Sequence, residues 1–221
     1  MNILSNIFKK KSDKVTLILN PKGNNCIGGK ANSEFEIPKL ETSAIVYFGC
    51  ISKKEQHLKQ IDFDLHLICP FFIDLREPVF FDYSNSKKPE LIRENVPTDF
   101  QPLYDEIPNT AYVEYKKLNF IFDNPLPTKV KIGVHNIDMI PGEIGHCGKP
   151  NWIRDENWPI CPITGNKMKF LFQLAEIDDC ETLVGQEIID EDFDPYLNFC
   201  HGYLYIFYEP ESKVIAYLNQ Y

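Results

Sequence analysis

Residues 203–218 read YLYIFYEPESKVIAYL, and this stretch decides the fold class. Two aromatic and β-branched runs, 203–208 and 214–218, flank Glu209-Pro210-Glu211-Ser212-Lys213, whose composition suits a turn. The pattern predicts a hairpin. Successive strand side chains point to opposite faces, so Leu204, Ile206 and Tyr208 share one side and Tyr203, Tyr205 and Phe207 the other. Both sides are apolar, which predicts a hairpin covered on both faces, the alternative being that one aromatic face is a contact surface.

Similar runs lie upstream. Residues 14–20 and 43–51 read as strands, as does 168–177, and 65–74 with 79–83 reads as a second hairpin split at 75–78. Residues 111–122 alternate well enough for an edge or half-buried strand, whereas 133–159 reads as loop-rich. A helical turn is expected in 52–62, and short helices at 90–94 and 101–106. Segment 85–109, with Pro89, Pro97, Pro102 and Pro108, is the expected linker. The fold class expected is therefore α+β with predominantly antiparallel sheet, one domain over 1–221, with lobes 15–84 and 110–221. An internal echo supports the lobes: Cys26-Ile27-Gly28-Gly29-Lys30 and His146-Cys147-Gly148-Lys149-Pro150 each precede a strand and a hairpin.

The chain has 221 residues, 43% hydrophobic and 25% charged, enough to bury a core without covalent staples. Seven cysteines at scattered spacing, with no secretory pattern at the start, predict reduced thiols and a cytoplasmic location. Residues 1–14 suit a short amphipathic turn docked on the body. Their apolar face is too small for stable membrane association.

The net charge of −9 is concentrated in one interval. Residues 170–212 contain 11 acids and no Lys or Arg, while the remaining 21 acids face 23 bases. This predicts an acidic face, drawn from Asp178, Asp179, Glu187, Asp190, Glu191, Asp192 and Asp194, for a basic protein partner. Nucleic acid is excluded because no clustered positive surface is available for phosphates. Trp152, Trp158, Tyr203 and Tyr205 are candidate aromatic contacts, although anchoring of a Pro-rich loop is the simpler account of the tryptophans.

Residues 145–174, GHCGKPNWIRDENWPICPITGNKMKFLFQL, together with 202–207, resemble the YwqG-like family of bacterial proteins of unknown function. The matching pieces are Cys147-Gly148-Lys149-Pro150-Asn151-Trp152, Pro159-Ile160-Cys161-Pro162, 168–174 and Gly202 to Phe207. The resemblance implies an antiparallel α+β fold and no assigned activity. Some members of that family carry a Cys-Pro-x-Cys-Gly zinc half-site; here Thr164 replaces the second thiolate.

Weak zinc candidates are His146, Cys147, Cys161, Cys200 and His201, none in paired spacing. The run Asp190-Glu191-Asp192-Phe193-Asp194 has Pro195 where a calcium loop needs glycine. Residues 23–31 have Asn24 and Ala31 where a phosphate loop needs glycine and a hydroxyl. The neighbouring Cys147/His146 and Cys200/His201 point apart on a strand, which disfavours a catalytic dyad. No cofactor is expected. The sequence favours a non-catalytic binding protein, of the kind that neutralises a basic partner as a toxin-immunity factor does. The alternative is an enzyme or small-ligand protein with a cleft between lobes near His146, Cys147, His201 and the 190–194 acids.

Overall fold

The structure is a computed structural model that describes residues 14–39, 45–70, 77–92, 113–132, 135–184, 196–197, 199 and 201–221. The expectations for residues 1–13, for helix 101–106 and for the 93–109 part of the linker lie outside these residues.

Extended backbone dominates. The strands are β1 (Val15–Leu19), β2 (Asn25–Ile27), β3 (Ile45–Ile51), β4 (Leu65–Pro70), β5 (Val79–Asp82), β6 (Glu90–Leu91), β7 (Glu114–Tyr115) and β8 (Leu118–Asp123). They continue with β9 (Thr128–Ile132), β10 (His135–Met139), β11 (Glu143–Cys147), β12 (Lys169–Leu174), β13 (Ile177–Val184), β14 (Tyr196–Leu197), β15 (Tyr203–Glu209) and β16 (Val214–Gln220). Helix among the described residues is confined to one 3-10 turn, Gln56–Leu58, capped by the Glu55 carboxylate accepting from the His57 N–H.

Eleven strands form one antiparallel sheet in the order β4-β3-β2-β8-β1-β11-β12-β15-β16-β5-β6. A three-stranded sheet, β14-β13-β7, lies over one face, and β9 and β10 form a separate ribbon. The larger core fills the space between the main sheet and β7/β13, packing Phe48, Phe172, Ile206 and Tyr217 with Tyr115, Ile177 and Cys180. A smaller core lies on the opposite face of β15 and β16, where Tyr205, Phe207, Ala216 and Leu218 meet Cys161, Met168 and the tryptophans.

The 203–218 hairpin forms as read, with Glu209 opposite Val214 and both faces covered. Its turn is built by Glu209, whose Oε2 accepts from the Ser212 N–H and hydroxyl, each at 2.7 Å, while Lys213 takes a left-handed φ of 57°.

The second expected hairpin does not form. β4 pairs with β3 at one end of the sheet, and β5 pairs with β16 near the other. The reason is that β16 is seven residues of continuously buried side chains, and its free edge takes β5. The 111–122 run divides at Lys116-Lys117 into β7, on the small sheet, and β8, which is central between β2 and β1 and not an edge. Within the loop-rich region β10 and β11 form, and the start of the helix expected at 90–94 is strand β6, on the outer side of β5.

Strands from both expected lobes interlock in this single sheet and repeat one register across its centre. On β1, Val15, Thr16 and Leu17 stand opposite Cys147, His146 and Gly145 of β11. On β8, Leu118, Asn119 and Phe120 stand opposite Ile27, Cys26 and Asn25 of β2 in the same way. Further out, His146 meets Gln173 as Cys26 meets Cys50, and Cys147 meets Phe172 as Ile27 meets Gly49. The next pairing carries a one-residue bulge at the same point in each half, between Phe170 and Phe172 and between Tyr47 and Gly49. Two equivalent cross-strand rows result: Asn119–Cys26–Cys50–His66 and Thr16–His146–Gln173–Tyr205.

Each half then leaves its inner strand through a left-handed glycine, Gly28 at φ 68° and Gly148 at φ 103°, where a side chain would be strained. The chain that follows lays an aromatic ring on the last residue of the row. Phe35 stacks on His66 at 4.2 Å and Trp152 stacks on Tyr205 at 4.8 Å.

Candidate functional site

The acidic segment is organised by β13. Ile177 and Cys180 turn into the core, and burial pushes the Cys180 thiol up to about 12. Asp178, Asp179 and Glu181 face solvent. Two flanking acids are paired: Glu181 Oε1 lies 3.0 Å from Lys116 Nζ, and Glu176 Oε2 lies 3.0 Å from His201 Nδ1. Asp178 and Asp179 have no ion-pair partner among the described residues, so adjacent carboxylates present net negative charge. Glu187, Asp190, Glu191, Asp192 and Asp194 lie outside the described residues. Glu209 does not belong to an acidic face, because it is buried in the β15–β16 turn. Burial alone would raise its carboxyl; the donors of Ser212, with those of Glu211 and Asn166, outweigh that and hold it below the ordinary range.

The aromatic candidates form a platform on the other side of the main sheet. Trp152 is half-buried, stacked on Tyr205 and Phe207 and edge-on to Trp158. Trp158 donates from Nε1 to Glu156 Oε2 at 3.0 Å and carries the Lys167 ammonium 3.9 Å above its ring. Tyr203 is half-buried against Tyr205. Tyr205 itself is fully buried, and its hydroxyl donates to the Asn151 carbonyl at 2.6 Å, so it supports the platform and does not reach a partner.

Backbone bonds fix the platform's loop. Gln173 Oε1 accepts from the Asn151 N–H, and Gln220 Oε1 accepts from the Ile153 and Arg154 N–H groups. Anchoring therefore accounts for Trp152, while Ile153, Ile160 and Ile163 project outward at 45%, 54% and 56% exposure. The platform and the acidic strand lie over opposite faces of the sheet and cannot form one contact surface.

The zinc candidates are dispersed. Cys147 packs in the larger core and Cys161 in the smaller one on the other face. His201 is exposed and bound to Glu176, and Cys200 lies outside the described residues. Among the described residues no group of three His, Cys, Asp or Glu could hold a metal ion. Cys161 is held below its ordinary value: burial pushes it up, but Ser212, 3.3 Å from Sγ, and donors of Thr164 and Ile163 outweigh that.

His146 is buried, and among the described residues neither ring nitrogen has a hydrogen-bond partner; nor has Nε2 of Gln173 beside it. Burial, assisted by the charge of Lys14, lowers His146 to about 4, against a weak opposing effect of the Cys147 backbone. At neutral pH this pair offers the two N–H groups of Gln173 and one donor and one acceptor on the neutral imidazole.

The equivalent row in the other half is better satisfied, and sequence reasoning missed it. His66 is buried under Phe35, with Tyr47 Oη 3.2 Å from Nδ1 and Asn32 Nδ2 3.4 Å from Nε2. An amide NH₂ only donates, so Nε2 accepts and Nδ1 carries the proton toward Tyr47. Burial lowers the His66 pKa, and the nearby Asp64 charge opposes that. The visible signal was the Cys26–Lys30 echo, which locates the row's inner strand and nothing further out.

No helix among the described residues is long and apolar enough to cross a membrane. Comparison with protein-family models, curated proteins and solved structures gives no significant match.

Proposed function

We propose that this is a non-catalytic binding protein of the YwqG-like type that takes a basic protein partner on the surface of β13, as an immunity factor takes a toxin. The observation that carries the reading is the exposed pair Asp178 and Asp179, without ion-pair partners among the described residues, inside an interval of 11 acids and no Lys or Arg. Two adjacent carboxylates on a strand steer a cationic surface toward them and lose that effect as salt rises. We infer as well that the two halves of the sheet arose by duplication of a strand, glycine turn and strand-pair unit, because one register recurs in both.

Titration calorimetry with an oligolysine peptide tests the electrostatic part. Wild-type protein should bind it with an affinity that falls steeply with salt, and D178N/D179N should bind it about tenfold less tightly at low salt. Equal affinity for both proteins would remove β13 from the reading.

A second reading, a small-ligand protein, rests on one observation: the buried nitrogens of His146 and Gln173 that have no hydrogen-bond partner among the described residues. Buried polar atoms are ordinarily hydrogen-bonded, and a small polar molecule or ordered water would satisfy them. A ligand-observed NMR screen of small carboxylates and amides, run on wild type and H146L, separates the two: a wild-type-only binder supports the ligand.

A further inference from the structure

Cys26 and Cys50 stand directly opposite each other on β2 and β3, and both are half-buried. Among the described residues no other two cysteines are paired in register. The equivalent positions in the other half are His146 and Gln173, so the sheet's geometry does not demand thiols here.

We propose that Cys26 and Cys50 form a reversible cross-strand dithiol–disulfide pair, closed by a low-molecular-weight disulfide such as oxidised glutathione. Directly opposed residues of an antiparallel pair have Cα atoms roughly 4.5–5.5 Å apart, within the roughly 4.4–6.8 Å that a disulfide spans. Gly28 donates from N to the Phe48 carbonyl at 2.9 Å, two residues along, which by alternation makes Cys26–Cys50 a wide, hydrogen-bonded pair. Closure must therefore draw the Cβ atoms together from about 5.5 Å to about 3.8 Å. β2 has three residues and runs into two left-handed glycines, Gly28 and Gly29, and Gly49 adjoins Cys50; glycine accepts the backbone change that closure requires at less steric cost than other residues.

The reaction is two successive exchanges. One cysteine gives up its proton and its thiolate attacks a sulfur of the small disulfide, forming a mixed disulfide and releasing one small thiolate. The second cysteine loses its proton and its thiolate attacks the protein sulfur. The new Sγ–Sγ bond forms, the mixed disulfide breaks, and a second small thiolate leaves. The two small thiolates take up two protons. The protein is oxidised by two electrons and the small disulfide is reduced to two thiols.

The surroundings set how this runs. Burial raises both thiols, Cys50 up to about 12, and a thiolate on Cys26 raises Cys50 further; Lys117 opposes the rise at both, and the Cys50 backbone opposes it at Cys26. Scarce thiolate makes exchange slow at neutral pH and faster in alkaline solution. Disfavoured thiolates also make the disulfide, once formed, hard to reduce.

The test incubates the folded chain with oxidised glutathione at neutral and alkaline pH, then unfolds, alkylates and digests it for mass spectrometry. The expected product links the Cys26 and Cys50 peptides with loss of about 2 Da, and two of the seven thiols escape alkylation. Closure should be faster at alkaline pH and should raise the melting temperature by roughly 5–10 °C. C26S should lose the link and accumulate a glutathione adduct on Cys50. Persistent adducts on wild-type Cys26 or Cys50, a link between other cysteines, or seven alkylated thiols would each overturn the proposal.

Discussion

The Tyr83 hydroxyl donates a 2.7 Å hydrogen bond to the backbone carbonyl of His66, joining chain just beyond β5 to β4 although these strands stand far apart in the sheet order. Tyr217, on β16, adds a second link: its hydroxyl accepts from the Ile68 N–H at 3.3 Å and lies 3.4 Å from the Tyr83 hydroxyl. β4 is an edge strand, and an edge leaves backbone groups unpaired. Here two tyrosines reach that edge and bond two of its groups, the His66 carbonyl and the Ile68 N–H. Removing the Tyr83 hydroxyl strands a buried carbonyl, so Y83F should cost about 1–3 kcal/mol in urea unfolding. Y217F should cost a similar amount, and the double variant should cost less than the sum, because the hydroxyls touch. Strict additivity would show that the two hydroxyls act independently.

Gly145 and Gly165 separate steric necessity from backbone strain. A Cβ on Gly145, at φ 155°, would lie 2.0 Å from the Gln173 carbonyl oxygen on the paired strand. A Cβ on Gly165, at φ 71°, meets nothing within 4 Å. G165A should therefore cost only the left-handed penalty, roughly 1–2 kcal/mol, whereas G145A should exceed roughly 3 kcal/mol or fail to fold. Chemical denaturation of the two variants side by side checks the difference.

His146 makes stability depend on pH. Its folded pKa of about 4 lies below the ordinary 6.5, so the unfolded chain binds a proton that the folded chain refuses between those values. Stability should fall as pH drops through that window, by on the order of 2–3 kcal/mol from this residue. His66, also lowered by burial, acts in the same direction. H146L should be as stable as wild type or more so at pH 7 and should show a smaller acid loss. Equal acid loss in both proteins would place the imidazole in contact with water.

Ser212 holds the Glu209 carboxylate in the β15–β16 turn through two bonds from one residue. S212A removes the hydroxyl bond and should cost about 0.5–1.5 kcal/mol at pH 7. Because hydrogen bonding depresses the Glu209 pKa, its contribution is present above the ordinary carboxyl value and lost as pH falls through the lowered one. The difference between wild type and S212A should therefore shrink in acid, which urea melts at two pH values would show.

Local pattern made part of this fold legible. The 203–218 hairpin, β1, β3 and β12 could be read because each is a dense apolar or β-branched run. The wrong hairpin at 65–83 came from the same signal: two apolar runs and a short break say nothing about which distant edge each strand joins. β13 was invisible because its outward positions are Asp178, Asp179 and Glu181, which read as a charged loop. Its inward Ile177 and Cys180 are too few to show alternation. The repeated register was glimpsed in two glycine turns, but interlocking cannot be read from order along the chain. For the site, the sequence located the acids but could not tell that Glu209 turns inward or that Tyr205 is buried under Trp152.

The most direct test of the binding reading is a paired capture from native lysate, using tagged wild-type protein and D178K/D179K as baits at low and moderate salt. The account predicts one basic protein captured in stoichiometric amount by the wild type, weakened by salt and lost with the charge-reversed bait. Capture of the same protein by both baits, or of background alone by the wild type, would contradict it.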